Sequence, residues 1–363
     1  MIFPQTLSLY ITRRFGVNFV FTLGALLGIV YLFEVVELLR RATGRDLPFG
    51  LIIEMSIFKL PQVGQQLFSF AVLFSAILTF WRLTRTSELV VARAAGVSVW
   101  QFLIPLVLAA ALIGAFRVGM INPLSAIFIA KYESLERRHL EPGGDAIDLS
   151  ESGLWLRERN ENQAVIIHAR HVDTENWALK DLTVLVFDKT DRMSERIDAE
   201  KAVLQDGDWH IGPGKRLVGE TRLVPLDRLV IPTDLTREKI ENSFASPESL
   251  SFWRLPGFIA ALESTGFSAV RMRMHFQSLL AQPLLYGSLI LLAASVGLRP
   301  QRRGRTALRV GAGIGIAFAL FFMSDVAEAL GLSGTLPPPM AAWTPAAAAL
   351  LLGTAALLHL EDG

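Results

Sequence analysis

The side chains able to do chemistry in this chain stand at the edges of apolar runs. Glu34, Glu37, Arg40 and Arg41 close the first of these runs, and their spacing lets Glu37 pair with Arg40 and Arg41 along one helical face. Two readings are open for that group. It is an interfacial cap, or it meets an anionic headgroup, because guanidinium binds phosphate through two parallel hydrogen bonds. Arg302, Arg303, Arg305 and Arg309 lead into a later run, with positive-inside anchoring and a headgroup site as the alternatives. A second kind of site lies in residues 85–98, RTSELVVARAAGVS. After Arg85, its only charges are Glu88 and Arg93. Leu89, Val90, Ala94 and Val97 can share one helical face. A glutamate near a helix start is favoured by the dipole, and it can accept a charge-assisted hydrogen bond from a partner's arginine.

Other chemistries find no support. Gly214-Lys215 is followed by Arg216, so the phosphate-cradling loop of an ATPase is not formed, and ATP chemistry must come from elsewhere. There is no H-E-x-x-H and no G-x-S-x-G. His168 and His171 are three apart, which puts them on opposite faces of a strand, so no metal site is expected. No cysteine is present, which excludes disulfides and thiolate chemistry. A net charge of +1 offers no argument for nucleic acid. The expectation is a chain with no catalytic residues and no cofactor.

The elements that must position these groups are membrane helices. The chain has 363 residues, 52% of them hydrophobic, and a mean hydropathy of +0.41. The apolar residues are gathered at the two ends and the middle third is polar. Residues 15–33, 60–81, 97–116, 276–298, 310–324 and 340–358 meet or approach the ~20 residues that cross a bilayer. The first is too long for a typical signal segment and has no small-residue cleavage site after it, so it is expected to be retained. Arg117, just past the third run, is expected to snorkel to the interface. Arg13, Arg14, Arg82, Arg85, Arg93, Arg299, Arg302, Arg303 and Arg305 fall on one side. Arg40, Arg41, Arg45 and Lys59 fall on the other. The positive-inside rule therefore places both termini and residues 85–98 in the cytoplasm and the polar middle outside.

That middle reads as strands. Residues 153–159, 164–170, 182–187, 199–204, 208–211, 216–218 and 222–224 are short alternating or β-branched runs punctuated by Gly and Pro. They suggest an antiparallel sandwich or jelly roll. Residues 246–266 read as an interfacial helix interrupted by Pro256. The expected fold is an α-helical polytopic membrane protein of six spans, with an antiparallel β jelly roll between the third and fourth. Residues 1–138 hold three spans and a cytoplasmic helix at 85–98, 139–245 the β domain, 246–270 a connecting helix, and 271–363 the last three spans.

In this order the features resemble the LptF/LptG permeases of lipopolysaccharide export, over essentially the whole chain. The most specific piece is Ser87-Glu88-Leu89-Val90-Val91 followed by Ala95-Gly96 and Ser98, which is similar to the signature of the LptG branch. Tyr10-Ile11, Pro61, Gly153-Leu154-Trp155, Gln282-Pro283, Arg302 and Arg309 support it. The resemblance implies a non-catalytic subunit in the bacterial inner membrane. It would pair with LptF around a cavity for lipopolysaccharide and rest on a dimer of the ATPase LptB, which binds the ATP. Cargo would pass through the β domain toward LptC and LptA. It implies that residues 85–98 are the coupling helix, with Ser87, Glu88, Leu89 and Arg93 at the ATPase. It also implies that Arg40 and Arg41 meet lipid A phosphates, with Arg302 further along. Glu34 departs from the family, some of whose members carry lysine there. A carboxylate would repel phosphate unless paired, protonated or bridged by a cation. The alternatives are a structural or assembly membrane protein that docks partners through its β domain, and an exporter of another large lipid.

Overall fold

The computed structural model describes residues 5–43, 47–140, 146–150, 153–159, 164–173, 178–188, 192–205, 207–218, 222–233, 246–265, 267–298 and 306–361. The chain divides into a helical unit (Met1–Leu135, Ser251–Trp253 and Arg273–Gly363) and a β-rich unit (Glu136–Leu250 and Arg254–Met272).

Six helices in the described residues are long and apolar enough to cross a membrane. α1 (Gln5–Ala42) and α2 (Phe49–Arg85) run 38 and 37 residues. A short α3 (Glu88–Ala94) precedes α4 (Val99–Phe116), which continues through a π-helical turn (Arg117–Ile121) into α5 (Asn122–His139). Three further spans are α7 (Val270–Gly297), α8 (Thr306–Leu332) and α9 (Pro338–Glu361). At 1.5 Å per residue α1 is about 57 Å long, well beyond a hydrocarbon core of about 30 Å. The apolar runs thus mark only the buried middles of the helices. Polar turns at their ends extend them, since backbone hydrogen bonding favours helix wherever no Gly or Pro stops it. The third span differs most. It does not end at Phe116, so Arg117 is mid-helix and only 6% exposed, and it does not snorkel.

Apolar packing alone does not hold helices together in lipid, so close approach and polar contacts matter. Gly114 on α4 faces α7 so closely that a Cβ would come within 2.8 Å of Pro283 Cα. Asn18 Nδ2 donates to Thr79 Oγ1 at 2.8 Å, and Thr84 Oγ1 donates to the Gly297 carbonyl at 3.0 Å. The core between them gathers Phe15, Phe80, Phe102, Leu103 and Tyr286.

Among the described residues, the β unit contains nine antiparallel strands in one connected sheet: β1 (Ala146–Ser150), β2 (Gly153–Arg159), β3 (Ala164–Asp173), β4 (Ala178–Phe187), β5 (Met193–Gln205), β6 (Asp208–Ile211), β7 (Gly214–Val218), β8 (Arg222–Leu226) and β9 (Leu229–Pro232). β1 to β5 pair in sequence order. The 13-residue β5 then carries two partners on its other edge, β7 along Glu195–Ala199 and β6 along Ala202–Gln205, and these lead to β8 and β9. Directly paired residues share a face. Two rows, Leu154–Ala169–Leu182–Ala199 and Leu156–Ile167–Val184–Ile197, are buried. The row between them, Trp155–His168–Thr183–Asp198, lies on the opposite face, where the Trp155 and His168 rings stack at 4.1 Å.

The connecting segment differs from expectation. Pro247–Ser249 is one 3₁₀ turn, and helix begins only at α6 (Leu255–Ser264). Pro256 sits in its first turn, where a missing N–H costs nothing, so it starts the helix and does not interrupt one. Within this unit, Val172 N donates to the Thr265 carbonyl at 3.0 Å, tying the end of α6 to β3.

Candidate functional site

The first site is the reversal between α2 and α4. α2 ends at Arg85, and Ser87 then takes a left-handed conformation (φ 58°) that turns the chain into α3. Such a φ is costly for a residue with a side chain. The neighbours repay it: Thr86 Oγ1 lies 3.0 Å from the Arg82 carbonyl and 2.8 Å from Glu88 Oε1, able to donate to either. The Tyr10 hydroxyl also meets the Glu88 carboxylate. The helix is shorter than residues 85–98. It stops at Gly96 (φ 84°), where Gly96 N donates to Arg93 O at 2.9 Å and Val97 N to Ala92 O at 3.1 Å. This paired closure needs a left-handed residue at the glycine. Ser98 then starts α4, accepting from Trp100 N at 3.3 Å while Gln101 Oε1 accepts from Ser98 N at 3.0 Å. Gly96 and Ser98 are therefore architectural. Of the four apolar residues expected to share a face, only Leu89 is buried, packed into the main core, and Val97 is half-buried. Val90 and Val91 are 62% and 68% exposed, and Arg93 is exposed beside them in the last turn.

The second site is at the other end of α1 and α2. Arg40 engages Glu37 through two hydrogen bonds, Nε to Oε2 at 2.8 Å and Nη2 to Oε1 at 2.6 Å. Arg41, expected on the same carboxylate, donates from Nη1 to the Tyr132 hydroxyl on α5 at 3.3 Å. Lys59 on α2 sits with its ammonium 5.5 Å from the centre of the same Tyr132 ring. Its Nζ is 2.6 Å from Glu34 Oε1, a contact with the distance of an ion pair but not the angle of a directed hydrogen bond. Glu34 is thus paired, which removes the expected repulsion of phosphate. Lys59 was not among the residues expected here. The available signal was a lone lysine just before Pro61 in an apolar helix, where an ammonium is expensive without a partner. Lys131 on α5 lies over the Phe58 ring of α2 at 4.5 Å. Arg302, Arg303 and Arg305 lie outside the described residues.

A sequence profile of the family described as lipopolysaccharide export system permease LptF/LptG matches residues 9–359, and this span includes both sites and the β unit. The chain belongs to the LptF/LptG family. It is 26% identical to the lipopolysaccharide export system permease protein LptG of Escherichia coli (strain K12) over 364 residues, covering 95% of this chain and 96% of the relative. To the protein of the same name from Haemophilus influenzae it is 22% identical over 334 residues, 89% of each chain. The LptF/LptG family supplies the multi-pass permease of lipopolysaccharide export, a non-catalytic subunit that holds no cofactor and works with a separate ATPase. Its partners are therefore other components of that export system.

Proposed function

We propose that the chain is the LptG-side half of the permease, pairing with LptF and standing on a dimer of LptB. LptC and LptA would receive the cargo from its β domain. The observation that carries this is the outward surface of α3. A seven-residue helix anchored by one leucine presents Glu88, Val90, Val91 and Arg93 away from the core, with the carboxylate held in place by Thr86 and Tyr10. An apolar pair flanked by a fixed acid and a base suits a groove on another protein. Arg13, Arg14, Arg82, Arg85 and Arg93 share that end of the bundle, which supports a cytoplasmic position for α3 and both termini, with the β domain in the periplasm.

The cluster at the far end of α1 holds the phosphorylated headgroup. Arg40, Arg41 and Lys59 are its cations. Because Lys59 neutralises Glu34, the phosphate meets a net positive surface. Extraction of a multi-acyl lipid exposes apolar area at about 0.8 kcal/mol per CH₂, so thermal escape is negligible and work must be delivered from outside the chain.

The test is reconstitution. The chain is co-expressed with LptF, LptB and LptC, placed in liposomes, and assayed for ATP-dependent release of lipopolysaccharide to LptA. A complex that assembles and hydrolyses ATP without release removes the transport reading. Glu88→Ala should insert normally but lose LptB on purification, or retain it with ATP hydrolysis uncoupled from release. Normal assembly and transport in that variant would remove α3 as the coupling element.

A further inference from the structure

Two helices carry the chain between the two units. α5 runs from Asn122 in the helical unit to His139 in the β unit, and α7 returns from Val270 in the β unit to the helices. Another excursion lies between them in sequence. Ser251–Trp253 belongs to the helical unit, whereas Leu250 before it and Arg254 after it belong to the β unit. The chain leaves the β unit for three residues, engages the helices and goes straight back.

The contacts of this short strap are directed. Phe252 N donates to Asn122 Oδ1 at 2.7 Å, and Trp253 Nε1 donates to the Gly119 carbonyl at 3.2 Å. Gly119 lies inside the π turn and Asn122 is the first residue of α5. The Phe252 ring also stacks on Phe276 of α7, with centroids 5.2 Å apart and planes 15° from parallel. Two adjacent strap residues therefore hold both helices that connect the units. Asn122 is fully buried, and its Nδ2 donates to Gln65 Oε1 on α2 at 3.4 Å. Arg117 Nη2 reaches the same oxygen at 3.5 Å. A π turn interrupts the regular hydrogen-bond ladder, and such turns are where helices bend. The strap braces this one, with one bond landing inside the turn and one just beyond it. Within the β unit the strap is followed at once by α6, whose end is bonded to β3 through Val172 N and the Thr265 carbonyl.

We propose that Ser251–Trp253 is a latch that binds α5 and α7 into a single stem. With the latch closed, the helix entering the β unit and the helix leaving it move together when the ATPase acts. With it open, the π turn bends and the two helices part. Asn122 is its keystone, because it alone joins the strap, α5 and α2. The proposal rests on the permease reading only for the source of movement.

The test uses the full chain in complex with cysteine-free partner subunits. The chain has no cysteine of its own, so spin labels attach only at Ala130→Cys on α5 and Leu280→Cys on α7, both exposed positions. Electron–electron resonance reads the distance between them, without nucleotide and with ATP and vanadate. The otherwise unaltered chain should show one narrow distance in both states. Asn122→Leu removes the acceptor for Phe252 N and should lose the single distance once nucleotide is bound. Asn122→Asp keeps that acceptor, and Gln65 can turn its amide to donate to it, so the narrow distance should return. Trp253→Phe keeps a ring but removes the N–H, and should broaden the distance to a lesser degree. Trp253 is 67% exposed, so this variant decides the matter if Asn122→Leu does not assemble. A broad or divided distance in the unaltered chain overturns the proposal. So does a narrow one in Asn122→Leu or Trp253→Phe, or an Asn122→Asp variant as broad as Asn122→Leu. No lipopolysaccharide enters this experiment, so its failure and that of the cargo reading are separately visible.

Discussion

Lys59→Met should weaken the helical unit by stranding a carboxylate. The Lys59 ammonium is 2.6 Å from Glu34, whose side chain is only 11% exposed. Leaving one member of a buried pair uncompensated costs about 3–5 kcal/mol. Large chains shift by roughly 2 °C per kcal/mol, which gives a loss of about 6–10 °C. Melting of the detergent-solubilised complex, followed by tryptophan fluorescence and compared with wild type, reads the number. Glu34→Gln added to Lys59→Met leaves no charge to strand and should recover most of the loss. A double variant that loses the sum of the singles would refute the pairing argument.

Three other outcomes follow from the geometry. Gly114→Val should impair assembly of the helical unit, because a Cβ there meets the Pro283 backbone, which cannot give way as a flexible side chain would; the measure is yield of monodisperse complex beside a control at Gly119, where the space is open. Gly96→Val should insert normally but lower ATP-driven release, since only the left-handed φ and no neighbour opposes the side chain, and Gly96→Asn should be milder because asparagine tolerates that conformation. In the β unit, burial pushes the Asp198 carboxyl up, but hydrogen bonds from Arg196 and Thr183 outweigh it and hold the group below its usual range. Its stabilisation is then complete above the ordinary aspartate value, about 3.9, and fades as pH falls through the lowered one. Asp198→Asn should flatten the acid limb of the melting curve below about pH 4, by a small amount because both side chains are half exposed.

Local features were legible in the sequence and long-range pairings were not. Uncharged stretches of bilayer length can only be spans, so all six emerged, and alternation in residues 153–159 and 164–170 marked β2 and β3. Helix ends were misjudged because polar turns continue a helix that hydropathy no longer reports. That error made Arg117 an interfacial residue when it is in fact buried. β1 and β9 were missed: AIDLS and LVIP are too short to show a period, and strand pairing, not local preference, makes them strands. At the rim, Glu37 and Arg40 were readable because they sit one turn apart. Glu34 and Lys59 are on different helices, and only packing could join them. The Gly96 and Ser98 positions were recognised as part of a signature, but their reason, a helix stop followed by a helix start, needed the backbone.

The two candidate sites lie at opposite ends of one element. α2 runs unbroken from Phe49 to Arg85, with Lys59 near one end and the turn into α3 at the other. Twenty-six residues separate Lys59 from Arg85, about 39 Å along the axis. α3 is not an independent module. Its single buried anchor, Leu89, shares a core with Leu83 of α2 and with Val99 and Phe102 of α4. A partner that pulls on α3 therefore pulls on both helices at once. Through α2 the displacement reaches the Lys59–Glu34 pair, and with it the Tyr132 ring that also engages Arg41. Through α4 it reaches the π turn, where the intrahelical hydrogen bonding is already rearranged. Close-packed helices transmit strain because their interiors are incompressible, and the weakest links on these paths are polar. If α3 is the coupling element proposed above, movement there would reach the rim as a change in which cation holds which anion.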